Sequence, residues 1–110
     1  MLQPVENREE LERILEAPLA LIYKHSTICG LSSKAIREVE SFVGRHPDVP
    51  VYIIDVLRNR AITMEVQDRL GVRHKSPQVI VVANGEAKWH KSHWGIKSKV
   101  LSRQIAALKN

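Results

Sequence analysis

Residues 19–32 read LALIYKHSTICGLS, an apolar segment followed by a polar stretch and a cysteine. The segment Leu19–Tyr23 has the length of a strand and shows no polar alternation, which predicts a strand covered on both faces of a sheet. Apolar residues then recur at three- and four-residue steps as far as Val43, which predicts a helix that Gly44 and Pro47 stop. Cys29 therefore stands where a buried strand passes through a short loop into a helix.

The rest of the chain alternates predicted helices and strands. In chain order these are a helix from Asn7 to Pro18, the strand Leu19–Tyr23, the helix through Val43, the strand Val51–Ile54, a helix over 59–70, the strands Gln78–Ala83 and Ala87–Lys91, and a helix over 96–108. Asn84-Gly85 between the last two strands is a strong hairpin signal, because both residues tolerate a positive φ. This order predicts an α/β three-layer sandwich with a mixed sheet of about four strands, in one domain over residues 1–110.

Composition restricts the class of protein. The 110 residues are 44% hydrophobic and 26% charged, which fits one globular domain with a single core. One cysteine excludes a disulfide scaffold. The longest apolar runs fall far short of the roughly 20 residues of a membrane helix. The first residues lack the basic and apolar regions of a signal peptide, so we expect a cytoplasmic domain with no membrane partner.

Charge is distributed unevenly along the chain. Residues 51–110 carry eleven Lys and Arg against four Asp and Glu, within a formal net charge of +5 for the whole chain. Such a bias suits an anionic partner, either nucleic acid or a small carboxylate-bearing molecule, and an ordinary solvated surface explains it equally well. Aromatic residues are too few for a stacking platform, so we expect no nucleic-acid partner. The five histidines lack the spacing of a zinc site, so no metal site is predicted.

Cys29 is the candidate nucleophile. A thiol at a helix start faces unpaired backbone N–H groups and the positive end of the helix dipole, and both favour the thiolate that attacks disulfides. Lys24 and His25 add positive charge nearby. Four small hydroxyl side chains in this region can donate to a sulfur anion: Ser26, Thr27, Ser32 and Ser33. The competing interpretation is an inert buried cysteine. A lone cysteine in an intracellular protein is more often of this kind, but a strand–loop–helix junction rich in Ser and Thr is not a core environment.

These motifs resemble the thioredoxin superfamily and, within it, the monothiol bacilliredoxins. The resemblance is carried by the Lys24–Thr27 lead, Cys29-Gly30-Leu31-Ser32, the Asp55 region, Ser76-Pro77-Gln78 ahead of an apolar strand, and Ser92-His93-Trp94. It implies a thioredoxin-like fold, with a cis bond before Pro77 and Pro77 beside Cys29. The family favours Pro-Ile after the cysteine, whereas this chain has Gly30-Leu31, which should loosen the first helical turn.

The resemblance also implies a function, that of a monothiol thiol-disulfide oxidoreductase with Cys29 as its catalytic residue. It would remove a low-molecular-weight thiol, by resemblance bacillithiol, from S-thiolated proteins, with that thiol as co-substrate and no bound cofactor. The residues expected to bind substrate are Lys24, His25, Thr27, Gly30, Ser32, Ser76 and Pro77, with Arg73 steering the anion.

Other interpretations of the same residues stay open. The chain could be a non-catalytic thioredoxin-fold binding or adaptor module in which Cys29 is only a redox modification site. A third possibility, nucleic-acid binding, rests on net charge alone. Asp55, at the end of the second strand, either accepts a proton near Cys29 or caps a turn.

Overall fold

A five-stranded mixed sheet with helices on both faces forms the fold, which a computed structural model describes for residues 1–109. The elements in chain order are β1 (Leu2–Pro4), α1 (Arg8–Glu16), β2 (Ala20–His25), α2 (Gly30–Arg45), β3 (Val51–Asp55), α3 (Arg60–Leu70), β4 (Gln78–Ala83), β5 (Glu86–Ser92) and α4 (Ser98–Lys109). A short 3₁₀ turn, His93–Gly95, connects β5 to α4.

Strand β2 lies at the centre of the sheet, whose strand order is β1-β3-β2-β4-β5. It pairs in parallel with β3 and antiparallel with β4, and β1 and β5 complete the two edges. The residues Ala20–Lys24 are all buried. A strand covered in this way needs no polar alternation, which confirms the interpretation of its sequence.

Two apolar cores lie on opposite faces of the sheet. Because successive residues of a strand point to opposite faces, Ile22 enters one core and Leu21 and Tyr23 enter the other. The first core takes apolar residues of α1 and α3, namely Leu11, Ile14, Leu15, Ile62 and Val66. The second takes those of α2 and α4, namely Ala35, Val39, Phe42, Leu101 and Ile105. The predicted three-layer sandwich is thereby confirmed.

The structure differs from the sequence-based prediction in two strands. It adds β1, which pairs in parallel with β3 and makes five strands where about four were predicted. Three residues that end in a proline carry no strand pattern of their own. It also extends β2 through Lys24 and His25, which the sequence placed in a polar stretch, because these residues pair with Gln78 and Asp55.

Asn7, Gly71 and Asn84-Gly85 take capping and turn positions, whereas Asn59, which the sequence suggests as the cap of α3, makes no side-chain capping hydrogen bond. The side chain of Asn7 accepts a hydrogen bond from the Glu10 N–H at 2.9 Å at the start of α1. Gly71 ends α3 in the left-handed conformation with φ +68°. Asn84 and Gly85 form the hairpin turn with φ +52° and +80°. Within residues 1–109, no helix is both long and apolar enough to cross a membrane.

The hairpin turn gives a test of the fold. We expect Gly85→Ala to lower the free energy of unfolding by about 1–2 kcal/mol, because an L-residue is strained at positive φ. The added Cβ would also lie 3.1 Å from the Leu15 carbonyl oxygen. Urea denaturation followed by circular dichroism measures the change. The matched control is Gly44→Ala, which adds a Cβ in open space inside α2 and should raise stability. A stabilising Gly85→Ala would contradict the turn geometry.

Candidate active site

Cys29 occupies the N-cap position of the 16-residue helix α2. Its backbone is extended, with φ −102° and ψ 121°, and its side chain makes no capping hydrogen bond. The first turn of α2 contains no acidic residue, and the Cys29 side chain is partly exposed. The thiol is therefore accessible to solvent at the positive end of the helix dipole, and no acidic side chain in the first turn offsets that positive charge.

The segment before β4 lies alongside the end of β2. The Ser76–Pro77 bond is cis, which confirms the prediction drawn from the family resemblance. Gln78, the next residue, pairs with Lys24 of β2, so Pro77 stands beside the strand that leads to Cys29. The Pro77 carbonyl accepts a hydrogen bond from the His93 N–H at 3.0 Å. Three segments thus meet at this end of the sheet, namely the β2–α2 junction, the cis-proline segment and the 3₁₀ turn.

A hydrogen-bonded group lies beneath the first turn of α2. The Tyr23 hydroxyl is 2.8 Å from Nδ1 of His25 and donates to the Ser32 carbonyl at 3.3 Å. Both contacts are satisfied when neutral His25 carries its proton on Nδ1 and donates to the phenol oxygen. Burial raises the pKa of Tyr23 above its usual value and lowers the pKa of His25. Both groups are therefore uncharged near neutral pH, and they connect β2 to α2 directly.

Lys24 is a buried lysine without a carboxylate partner. Its side chain is 0% exposed and points to the face of the sheet opposite Tyr23. Among residues 1–109 it forms no ion pair, and its Nζ lies 3.2 Å from Nδ1 of His74. Burial lowers the pKa of Lys24 to about 8, and burial followed by the charge of Lys24 lowers the pKa of His74. Neutral His74 accepts the hydrogen bond, which ties the segment before Pro77 to the sheet.

The predicted substrate-binding residues do not all face solvent. Thr27 and Gly30 are exposed next to Cys29, and Ser76 and His25 are partly exposed. Pro77, Ser32 and Lys24 are buried. The hydroxyl of Ser32 accepts a hydrogen bond from the Ser26 N–H at 3.2 Å, and Lys24 has no exposed surface that a substrate could contact. These two residues support the site from inside, and substrate contact by the exposed residues stays a prediction.

Of the remaining candidates, Asp55 takes a structural position. Asp55 caps a turn, because its Oδ1 accepts hydrogen bonds from the Leu57 and Arg58 N–H groups at 3.0 and 3.1 Å. This confirms the second of the two roles considered for it. Arg73 is exposed, and its carbonyl accepts from the Gln78 side chain at 3.1 Å. In the described part of the chain, no three His, Cys, Asp or Glu side chains converge as metal ligands.

A groove that the sequence did not predict opens between α2 and the 3₁₀ turn. It is an open groove of about 160 Å³, lined by Leu31, Lys34, Ala35, Arg37, Glu38, His93, Trp94, Ile96 and Lys97. The available signal was the three-residue spacing of Lys34 and Arg37, which puts both cations on one side of the helix that begins after Cys29.

Comparisons with known proteins agree with the resemblance. The sequence model of the monothiol bacilliredoxin BrxC matches residues 3–101. A putative oxidoreductase with a thioredoxin fold superposes with a TM-score of 0.88 at 24% identity, over 94% of this chain and 93% of its own. A thioredoxin from Trypanosoma brucei brucei gives 0.82 at 17% identity, over 99% and 91%. A thioredoxin from Malassezia sympodialis gives 0.79 at 18% identity, over 100% and 92%. The fold is thioredoxin-like, and the family match and the fold together support a thiol redox role.

The buried lysine predicts a pH-dependent stability. Its pKa falls from 10.5 in the unfolded chain to about 8, so charging Lys24 opposes folding. The penalty is complete below pH 8, declines as pH rises towards 10.5, and is absent above it. We expect Lys24→Met to be more stable than wild type by about 3 kcal/mol at pH 7. Urea denaturation at pH 7 and pH 10 measures this, and the gain should shrink at pH 10. A variant less stable than wild type at pH 7 would contradict the unpaired charge.

The residue after the cysteine predicts a second change in stability. We expect Gly30→Pro to raise the free energy of unfolding by about 0.5–1 kcal/mol, because proline restricts the unfolded chain and suits the first position of a helix. The extended backbone of Cys29 is the conformation that a residue before proline requires. A Cβ at Gly30 meets no atom within 4 Å. Chemical denaturation of Gly30→Pro measures this change, with Gly30→Ala as the control. A loss of stability in the proline variant alone would show that the proline ring does not fit at this position.

Proposed function

The chain belongs to the monothiol bacilliredoxin BrxC family, and from this premise we propose that it is a disulfide reductase that removes bacillithiol from S-thiolated proteins through Cys29. The observation that carries the proposal is the position of the single cysteine. It is partly exposed, free of side-chain partners, and placed at the start of α2 where no acidic residue opposes an anion. A sulfur in this position is suited to attack a disulfide.

The reaction consists of two thiol-disulfide exchanges. In the first, the Cys29 thiolate attacks the bacillithiol sulfur of a protein mixed disulfide. The S–S bond of the substrate breaks, a bond between Cys29 and bacillithiol forms, and the protein leaves as a thiolate. In the second, a free bacillithiol thiolate attacks the bacillithiol sulfur on Cys29, which releases bacillithiol disulfide and the Cys29 thiolate. Each step exchanges one S–S bond for another, so no further oxidant or reductant is consumed.

The second exchange must use an external thiol. Cys29 is the only cysteine of the chain, and the position three residues later, where a resolving cysteine would stand, holds Ser32. Ser32 is buried, and its hydroxyl is bonded to the backbone of the preceding loop. The lone cysteine suits a reducing compartment, so we place this reaction in the cytoplasm.

The protein half of the substrate has suitable contacts beside Cys29. Ile28 is 80% exposed and offers an apolar surface immediately before the nucleophile. Neither backbone group of Ser76 makes a backbone hydrogen bond within residues 1–109. These groups can pair with an extended substrate segment in the manner of an added strand. We propose that the S-thiolated protein binds along Ser76 and Ile28 while its disulfide faces Cys29.

The single cysteine predicts the stoichiometry of the reaction. Mixed with excess bacillithiolated protein and no free bacillithiol, the chain should release one equivalent of protein thiol and gain one bacillithiol on Cys29. Added bacillithiol should then restart the reaction and give many turnovers. Intact mass spectrometry measures the adduct, and a thiol reagent assay measures the release. Cys29→Ser should form no adduct and release nothing, whereas Ser41→Ala, which removes an exposed hydroxyl further along the same helix, should behave as wild type.

Two results would overturn the proposal. Equal release by Cys29→Ser would mean that Cys29 is not the nucleophile. An adduct that forms on Cys29 but persists in excess bacillithiol would mean that the chain is modified without turnover, as expected of a redox-regulated binding module.

A further inference from the structure

We propose that the groove between α2 and the 3₁₀ turn binds the carboxylate groups of the small thiol that Cys29 carries. The inference rests on the proposed function and specifies how the small half of the mixed disulfide is recognised. The ligand class is a low-molecular-weight thiol with one or more carboxylates, held with its sulfur at Cys29 and its anionic end among Lys34, Arg37 and Lys97.

The cations of the groove have no acidic partners. Lys34, Arg37 and Lys97 are exposed, and none of them forms an ion pair among the residues described. The one carboxylate in the lining, Glu38, is already engaged, since its Oε1 accepts a hydrogen bond from the Ser98 N–H at 2.8 Å. That contact caps the start of α4. Three cations therefore line the groove, and its one carboxylate is committed to the adjacent helix.

The shape of the groove suits a small molecule. The space in it that is open to a water-sized molecule is about 160 Å³, which suits one end of a small thiol rather than a whole ligand. Leu31, Ala35 and Ile96 give it an apolar lining. Trp94 is 64% exposed at its edge, and Nζ of Lys34 lies 5.2 Å from the centroid of the Trp94 ring. An exposed aromatic ring beside cations can cover the uncharged middle of a ligand whose carboxylates pair with the cations.

The groove lies beside the start of α2, the helix that Cys29 caps, although Cys29 is not one of its lining residues. Leu31, one of the lining residues, follows Cys29 by two residues, and Lys34 lies about 7–8 Å further along the helix axis than Cys29. On the opposite wall, His93 is fixed to the cis-proline segment by its hydrogen bond to the Pro77 carbonyl. The groove is therefore bounded by the two elements, α2 and the 3₁₀ turn, that adjoin Cys29 and the cis-proline segment.

The test compares two small disulfides of different charge. The rate at which Cys29 forms a mixed disulfide is measured by intact mass with bacillithiol disulfide, which carries carboxylates, and with neutral bis(2-hydroxyethyl) disulfide. We expect Arg37→Gln/Lys97→Gln to react about tenfold more slowly with the anionic disulfide. The rate with the neutral one should change by less than about twofold. The matched control, Arg13→Gln/Lys88→Gln, removes the same charge from outside the groove and should react as wild type.

Each other outcome is decisive. An equal loss of rate in the control variant would mean that net charge, not the groove, attracts the disulfide. Unchanged rates in the groove variant would overturn the inference while Cys29 keeps its redox role. If the groove variant slows transfer only from a bacillithiolated protein, the groove binds the protein half and the inference is wrong. If wild type reacts with neither disulfide, the proposed function itself fails, and the inference fails with it.

Discussion

The site depends on one constraint, the junction between β2 and α2. β2 is buried on both faces of the sheet, and no acidic residue in the first turn of α2 offsets the positive end of the helix dipole. β2 lies between β3 and β4, so its end cannot move without breaking hydrogen bonds on both sides. α2 begins five residues after β2 ends, and the apolar residues that it contributes to the second core hold it against the sheet. Cys29 is thus positioned by backbone alone, and its side chain is left free of contacts that would have to break before it reacts.

Consecutive residues of β2 support the two segments that border Cys29. Tyr23 and His25 lie on the α2 side and bond to each other, and the Tyr23 hydroxyl also donates to the Ser32 carbonyl of the first turn. Lys24, on the other side, bonds to His74 ahead of the cis-proline segment. Because strand residues alternate between faces, one short segment can hold both walls of the site at once. Burying an ammonium without a carboxylate is unfavourable, and the rest of the fold offsets that cost.

The sequence predicts the order of elements, the hairpin and the position of Cys29 because these depend on local signals. Apolar spacing sets the helices, positive-φ residues such as Gly85 set the turns, and the helix start follows from the residues that flank it. The sequence could not predict the burial of Lys24 or the groove at Lys97, because both depend on which elements become neighbours in space. Strand β1 was missed for the same reason, since only its pairing with β3 makes it a strand.

The two edges of the sheet have a consequence for the behaviour of the protein at high concentration. At one edge, β1 is only three residues long and ends in Pro4, which has no N–H to donate. At the other, β5 carries Glu86, Lys88 and Lys91 on exposed positions, and a register irregularity interrupts its pairing at Val81 and Val82. Neither edge offers a long, uncharged template for a strand of another molecule. A sheet whose three inner strands are mostly apolar is in this way protected against intermolecular β-aggregation.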